Sequence, residues 1–454
     1  MSHNEHRRAR LLREMRVSLV LALPMVAGQF AAVAMNLVDS ALAGHYNPTT
    51  LAAVAVGSAL WSVVLLICIG VLMAIPPSVS QLNGADRRGE IAAVWQQAVW
   101  LALALGLAML ALVRAAPLFL AHFGIAAEVL PEAAAFLQAL SFGAPALALY
   151  FSFRFLSEGL AWTVPTMVFG VGGLLLLAPI GYALMFGLGA LPELGAAGLG
   201  YATALVLWMQ AIGFLLYLHR SPRFADLRLF ERWPLPQWQP IRELLALGLP
   251  MGVSIFMEGS LFVATALLIG RLGALDVAAH QVALNWASAS FMLPLGIAMA
   301  TTVRVGHAQG AGDASAVRWA GLAGYGLVFF TQTLSALLLV FGGWWLARLL
   351  TDDPAVTALA VILMAYAAVF QYPDGIQALS AGALRGLKDT RIPMFITVLA
   401  YWGLGLPLGA WFGLHLDGRA PGLWLGLIAG LSVAASLLTL RFWRLARRPP
   451  MVTQ

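Results

Sequence analysis

Residues 256–262 read Phe256-Met257-Glu258-Gly259-Ser260-Leu261-Phe262, with a carboxylate in the middle of the stretch. Leu249-Pro250-Met251-Gly252-Val253-Ser254-Ile255 precedes it and Val263-Ala264-Thr265-Ala266-Leu267-Leu268-Ile269 follows, and neither run carries a charge. About 20 apolar residues in a helix rise about 30 Å, enough to cross the hydrocarbon core of a bilayer. A carboxylate at mid-span costs about 2.5–3.5 kcal/mol on insertion scales, and it is kept only where it faces protein or water. The stretch therefore reads as a membrane-crossing helix with one polar, inward face. Its glutamate is tolerated whenever a proton, a Na⁺ ion or a cationic substrate offsets the charge.

The rest of the chain has the same character. Of its 454 residues, 61% are hydrophobic and only 10% charged, and the mean hydropathy is +0.86. Soluble domains carry about 25% charged residues. The single cysteine, Cys68, excludes an internal disulfide and a CxxC metal site. Apolar runs fall at 17–43, 51–79, 93–114, 130–157, 163–187, 195–218, 243–270, 277–303, 317–347, 356–384, 392–414 and 421–440. These predict twelve transmembrane helices in an all-α, polytopic membrane protein.

A net charge of +6 is no sign of nucleic acid here, because the basic residues mark topology. With the N-terminus placed in the cytoplasm, only Arg114, Arg271, Arg348 and Arg419 of the 26 Lys and Arg residues fall in outer connectors. That bias is what the positive-inside rule requires of an even number of spans with both termini cytoplasmic. Alanine-, leucine- and arginine-rich usage with one lysine points to a GC-rich bacterium, hence a multi-pass protein of the inner membrane.

The halves repeat. A shift of 226 residues lays Leu23-Pro24-Met25 on Leu249-Pro250-Met251, Gly44 on Gly270, and Gly84-Ala85 on Gly310-Ala311. A shift of 228 lays Pro165 on Pro393 and Pro179-Ile180-Gly181 on Pro407-Leu408-Gly409. The expected organisation is an N-lobe at 1–218, a cytoplasmic linker at 219–242 and a C-lobe at 243–454. Each lobe holds six helices, and an even number gives both copies one orientation. A pseudo-two-fold axis along the membrane normal should therefore relate them, with a cavity between, as in a transporter.

Three acidic residues lie well inside predicted spans: Asp39, Glu258 and Asp374. Polar neighbours recur at helical spacing around each. Helix 1 carries Gln29, Asn36, Asp39 and Ser40, and helix 7 carries Ser254 and Glu258. Helix 8 carries Gln281, Asn285 and Ser288 beside His280, and helix 10 carries Gln371, Asp374 and Gln377 beside Tyr372. Such stripes are expected to line an interior, where Met257 and Met292 with Phe256 and Phe291 offer an adaptable apolar surface. The carboxyls would load a proton or Na⁺ on one side and release it on the other; for Na⁺, Glu258 and Asp374 are the expected ligands.

Energy coupling follows by elimination. The only lysine, Lys388, follows a leucine, so the chain has no Walker A motif. A membrane potential supplies about 2.3 kcal/mol per charge per 100 mV, and a pH gradient about 1.4 kcal/mol per unit. Gly310-Ala311-Gly312-Asp313 matches the GxGD of intramembrane proteases, but Gly84-Ala85-Asp86 occupies the equivalent connector, so it reads as a turn. No catalytic motif is present, and the chain is not expected to be an enzyme.

Met35-Asn36-Leu37-Val38-Asp39-Ser40-Ala41-Leu42-Ala43-Gly44-His45, the run Leu51–Trp61, the opening stretch, Ala278–Asn285 and Ser380–Met394 occur in an order and spacing that resemble the MATE (multidrug and toxic compound extrusion) family, NorM-type branch. The resemblance covers nearly the whole chain. It implies antiport, in which Na⁺ or H⁺ enters while cationic, amphipathic drugs and dyes leave, without another cofactor or nucleic acid. A monomer in contact with membrane lipid is expected. It also implies that Asp39, Glu258 and Asp374 serve coupling and cation binding. Helix 5 departs from the pattern: Leu174–Gly181 has no asparagine near its central Pro179, which shifts the expected coupling site toward Glu258 and Asp374. A lipid-linked precursor flippase of the same superfamily is the alternative; it would want arginines in the cavity, and none is expected at mid-membrane.

Overall fold

The computed structural model describes residues 3–120, 125–189 and 192–447, and among these every regular element is helical. The spans are α1 (His6–Tyr46), α2 (Pro48–Gly84), α3 (Arg88–Leu120), α4 (Leu130–Ser141 and Ala144–Gly159, bent by 45°), α5 (Val164–Phe186) and α6 (Gly195–Arg220). They continue with α7 (Trp238–Gly270), α8 (Ala274–Gly310), α9 (Ala314–Arg348), α10 (Pro354–Gly386), α11 (Arg391–His415) and α12 (Arg419–Ala446). Among the described residues, eleven helices are long and apolar enough to cross a membrane, or twelve if the bent pair is one span. The chain is a multi-pass membrane protein. Residues 1–2 and 448–454, expected on the cytoplasmic side, lie outside the described residues.

The repeat seen in the sequence recurs in the turns. Asp86 and Gly312, 226 apart, both have positive φ, 58° and 70°. Each is followed by the same reverse bond, Arg87 N–H to Leu82 C=O at 2.9 Å and Asp313 N–H to Ala308 C=O at 3.0 Å. This is the Schellman ending of a helix, and it satisfies carbonyls that the last turn would leave bare. The GxGD stretch is thus a cap, and the Asp313 carboxylate accepts the Ala316 N–H at 2.9 Å to start α9. Ala161 and Lys388 repeat the device, with Trp162 N–H to Ser157 C=O and Asp389 N–H to Leu384 C=O, each 2.9 Å.

Packing sorts the chain into two compact units, Ala27–Gly252 and Met1–Val26 with Val253–Gln454. The boundaries differ from the expected lobe edges, and they too lie 226 residues apart. Each falls two residues after a proline inside a helix, Pro24 in α1 and Pro250 in α7. Proline removes one helical N–H, which is where a long helix can change partners. In the second unit the start of α1 docks on α8: Arg304 donates to Ser18 Oγ at 2.6 Å and to the Glu14 carbonyl at 2.9 Å, and pairs with the Glu14 carboxylate. In the first unit the start of α7 meets α2, with Gly248 against the Val71 backbone and Gly252 against Gly70.

The connector before α7 explains why that start belongs with Ala27–Gly252. Its carbonyls are held by side chains on α3: Gln96 donates to Leu229 and Arg232 at 2.8 and 2.6 Å, Gln97 to Leu235 at 3.1 Å and Trp100 to Pro234 at 3.0 Å. Gln97 also accepts the Gln237 N–H at 2.7 Å, and Trp95 packs edge-on against Phe230 and Trp233. Each such bond contributes about 1 kcal/mol, and losing its partner leaves a bare polar group. Replacing Gln96 and Gln97 together by Ala should therefore lower the thermal midpoint and open this connector to trypsin. Unchanged cleavage at Arg223, Arg228 and Arg232 would show that the strap is held by its aromatics alone.

Candidate functional site

In the unit that contains Val253–Gln454, the polar residues of α7, α10 and α11 meet inside the helix packing. Glu258 of α7 is partly buried and Asp374 of α10 almost wholly so, and they lie close enough for their charges to repel. The Gln377 amide, one turn on from Asp374, stands beside both Glu258 and Tyr401 of α11. Arg385, on the last turn of α10, is within Coulombic reach of Glu258. Among the described residues, three buried oxygens here have no hydrogen-bond partner: Asp374 Oδ1, Gln377 Oε1 and the Tyr401 hydroxyl. Buried polar atoms are normally paired, so these three oxygens, one of them on Asp374 itself, retain the capacity to take a proton or a cation.

Helix irregularities bring these groups together. Pro373 interrupts the α10 ladder immediately before Asp374. Helix α11 contains π-helical turns at Leu399–Gly405 and Trp411–His415, on either side of a short α-helical piece that carries Pro407. Such turns re-aim side chains and cluster at functional sites. Glycines on α11 and α12 let the two backbones touch: a Cβ on Gly422 would lie 2.6 Å from the Phe412 carbonyl, and one on Gly430 2.8 Å from that of Ala400. This small-residue seam seats α11 deeply enough to make Tyr401 fully buried. Its neighbour Trp402 donates to the Met257 carbonyl at 3.3 Å, tying α11 to α7 one residue before Glu258.

Three residues expected to line the cavity are engaged elsewhere. Gln371 is 1% exposed; its amide donates to the Gln332 carbonyl of α9 at 3.2 Å, and the Gln332 amide donates to the Gln371 carbonyl at 3.0 Å. His280 is 2% exposed; its Nδ1 accepts the Trp424 N–H at 3.2 Å, which puts the proton on Nε2, an atom without a partner. Tyr372 turns toward α9, donating to Thr333 Oγ1 at 3.0 Å. Gln281, Asn285 and Ser288 share an exposed face of α8, where Gln281 and Asn285 bond at 3.0 Å. Ser254, Met257 and Met292 are partly buried.

In the unit Ala27–Gly252, Asp39 is 7% exposed, lies beside Thr203 of α6 and leaves Oδ1 unpartnered. The α5 face packed beside it is apolar and carries no asparagine. Leu177, Ile180 and Leu184 pack there with Met35 and Val38, and Gly181 faces Leu42. On α1 Gln29 is partly buried and Asn36 exposed. Arg154, counted with the connectors in the sequence, belongs instead to the body of α4. It is buried and donates to Glu158 at 2.6 Å, and Glu158 also accepts from Thr166 at 2.9 Å. An i, i+4 pair on one helix needs no distant partner, and that spacing was the signal available in the sequence. Tyr401 left no such signal, because its depth depends on the glycine seam.

These features define a polytopic helical membrane protein with a carboxyl pair enclosed in one unit. The chain belongs to the MatE family, whose pattern matches twice, at residues 24–183 and 250–411. The two matches begin 226 residues apart, at the offset of the internal repeat. The chain is 52% identical over 439 residues to a probable multidrug resistance protein NorM of Xanthomonas campestris pv. campestris, covering 97% of this chain and 96% of that one. It is 40% identical to the multidrug resistance protein PmpM of Pseudomonas aeruginosa over 444 residues, covering 97% and 93%. In fold it resembles the eukaryotic MATE transporter AtDTX14, with a TM-score of 0.86, 21% identity and coverage of 96% and 99%. It also resembles a MATE crystallised in a bent conformation, with a TM-score of 0.88, 19% identity and 96% coverage of both chains.

The unpartnered Tyr401 hydroxyl gives a test that separates structure from binding. Removing an unsatisfied buried hydroxyl relieves a desolvation cost of about 1–3 kcal/mol. Tyr401→Phe should therefore unfold at the same temperature as the parent or a higher one, while any stabilisation by added Na⁺ or by lowered pH should shrink. A clear loss of stability without ligand would show that the hydroxyl already has a partner.

Proposed function

We propose that the chain is a multidrug efflux antiporter that exports cationic, amphipathic drugs and dyes in exchange for Na⁺ or H⁺ by alternating access. The carrying observation is the Glu258–Asp374 pair with the orphaned oxygens of Asp374, Gln377 and Tyr401 around it. Two carboxyls in a desolvated pocket cannot both stay ionised without a counter-charge. A proton shared between them meets that need, and so does a Na⁺ ion, a hard cation that takes oxygen ligands. The names of relatives at 40–52% identity support the drug cargo. The flippase alternative has less support, since Arg154 is taken by Glu158 and Arg385 faces Glu258. The distribution of basic residues supports an inner-membrane protein with both termini cytoplasmic, and transport without chemical turnover of the cargo.

In this scheme Glu258 and Asp374 exchange the coupling ion, and Asp39 acts in the other unit with weaker support from its surroundings. Glu258→Gln keeps the shape but removes the charge. It should abolish gradient-driven dye efflux at matched membrane expression, and Asp374→Asn should do the same, because each member of a coupled pair sets the other's titration. Asp39→Asn should reduce efflux less uniformly. Normal efflux by Glu258→Gln would reduce this glutamate to a structural hydrogen-bond acceptor. In vesicles, dye efflux should respond to an imposed Na⁺ gradient or an imposed pH gradient; a response to neither would overturn antiport.

A further inference from the structure

The start of α1 forms a cleft of about 810 Å³ with α9 and α12. Arg7, Arg8 and Arg10 of α1 face Arg318 and Trp319 of α9 and Trp443 of α12 across it. His6 adds a further basic side chain, Leu11 and Leu322 form apolar wall, and no acidic residue among the described side chains lines the cleft. The Arg10 guanidinium donates to Ser315 Oγ at 3.5 Å and lies 5.1 Å from the centre of the Trp319 ring. Trp443 is held by stacking on Tyr325, with ring centres 6.0 Å apart.

The convergence of these charges needs a cause beyond topology. Several other connector arginines are paired with a carboxylate: Arg87 with Glu90, Arg88 with Asp226, Arg228 with Glu231 and Arg441 with Asp389. Among the described residues no ion pair engages Arg7, Arg8, Arg10 or Arg318. The carboxylate of Glu14, one turn on from Arg10, is drawn away to Arg304. Like charges gathered in a concave site repel, and an anion entering the cleft removes that repulsion.

We propose that this cleft binds the phosphate headgroup of an anionic membrane phospholipid. Arginine forks bind phosphate oxygens in pairs, which suits four guanidiniums converging from two helices. The tryptophans and leucines supply the amphipathic wall that sits at the membrane–water interface, where the glycerol and first acyl carbons lie. A free inorganic phosphate would use the arginines but not that wall.

The test uses the full purified chain in neutral detergent and follows tryptophan fluorescence during titration with phosphatidylglycerol. A basic residue near an anionic surface contributes about 1 kcal/mol, so Arg10→Gln with Arg318→Gln should weaken saturable binding roughly tenfold or more. Arg220→Gln with Arg228→Gln makes the same change in net charge elsewhere and should leave binding nearly unchanged. Phosphatidylcholine should not bind, and millimolar inorganic phosphate should not compete. Should the cleft pair fail to fold, Arg8→Gln alone should still weaken binding severalfold. Equal losses in both double variants, no loss in the cleft variants, or full competition by inorganic phosphate would each overturn the proposal.

Discussion

Two carboxyls enclosed in one bundle of membrane helices are the constraint on which this structure turns. Inside a bilayer every backbone group must be satisfied within its own helix, so polar work falls to side chains and to helix irregularities. Glu258 of α7 and Asp374 of α10 lie within charge range of one another, and α11 reaches its depth beside them through a seam of glycines against α12. The packing supplies a little of what the pair needs, in the Gln377 amide and the distant Arg385 charge, and leaves three oxygens open. A site fully satisfied by protein atoms would have no reason to take or give up an ion.

The architecture was legible because membrane helices obey few rules. Hydropathy, the distribution of Lys and Arg, and the 226-residue offset gave twelve spans, and Asp39, Glu258 and Asp374 stood out by the cost of burying charge. Periodicity could say which residues share a face but not what that face meets. Gln371 and Asp374 lie one turn apart, yet Gln371 is locked to the α9 backbone and Asp374 faces Glu258. His280 neighbours Gln281 in the chain but points into the core at Trp424. The i, i+4 spacing of Arg154 and Glu158 could be read, although the end of α4 resembles a connector, whereas Tyr401 was hidden because a glycine seam has no meaning until two helices are placed side by side.

The boundaries of the compact units follow from the same repeat. A cut at each end of the linker would keep α1 and α7 whole, but packing divides both helices at equivalent positions beyond Pro24 and Pro250. The first turns of α1 are bound to α8 through Arg304, and the connector leading into α7 is strapped to α3. Each helix therefore carries its polar stripe, Asp39 or Glu258, on the far side of a proline from its anchored start. A residue without a helical N–H is a point where bending is cheap. Strain applied to either unit would be felt at these two prolines first, about two to four turns before the carboxylates.

The same anchoring gives the basic cleft its meaning. The start of α1 could not hold three arginines opposite Arg318 unless Arg304 fixed it on α8, and in doing so Arg304 removes the Glu14 carboxylate that could have neutralised them. One ion pair thus both docks the helix and leaves its end cationic. A surface lipid that fills the cleft would add to the docking of α1 on that side of Pro24, whereas a chain without such a lipid would hold the same helix with fewer bonds. The hold on α1 would then depend on the anionic content of the membrane, through contacts that lie away from Glu258 and Asp374.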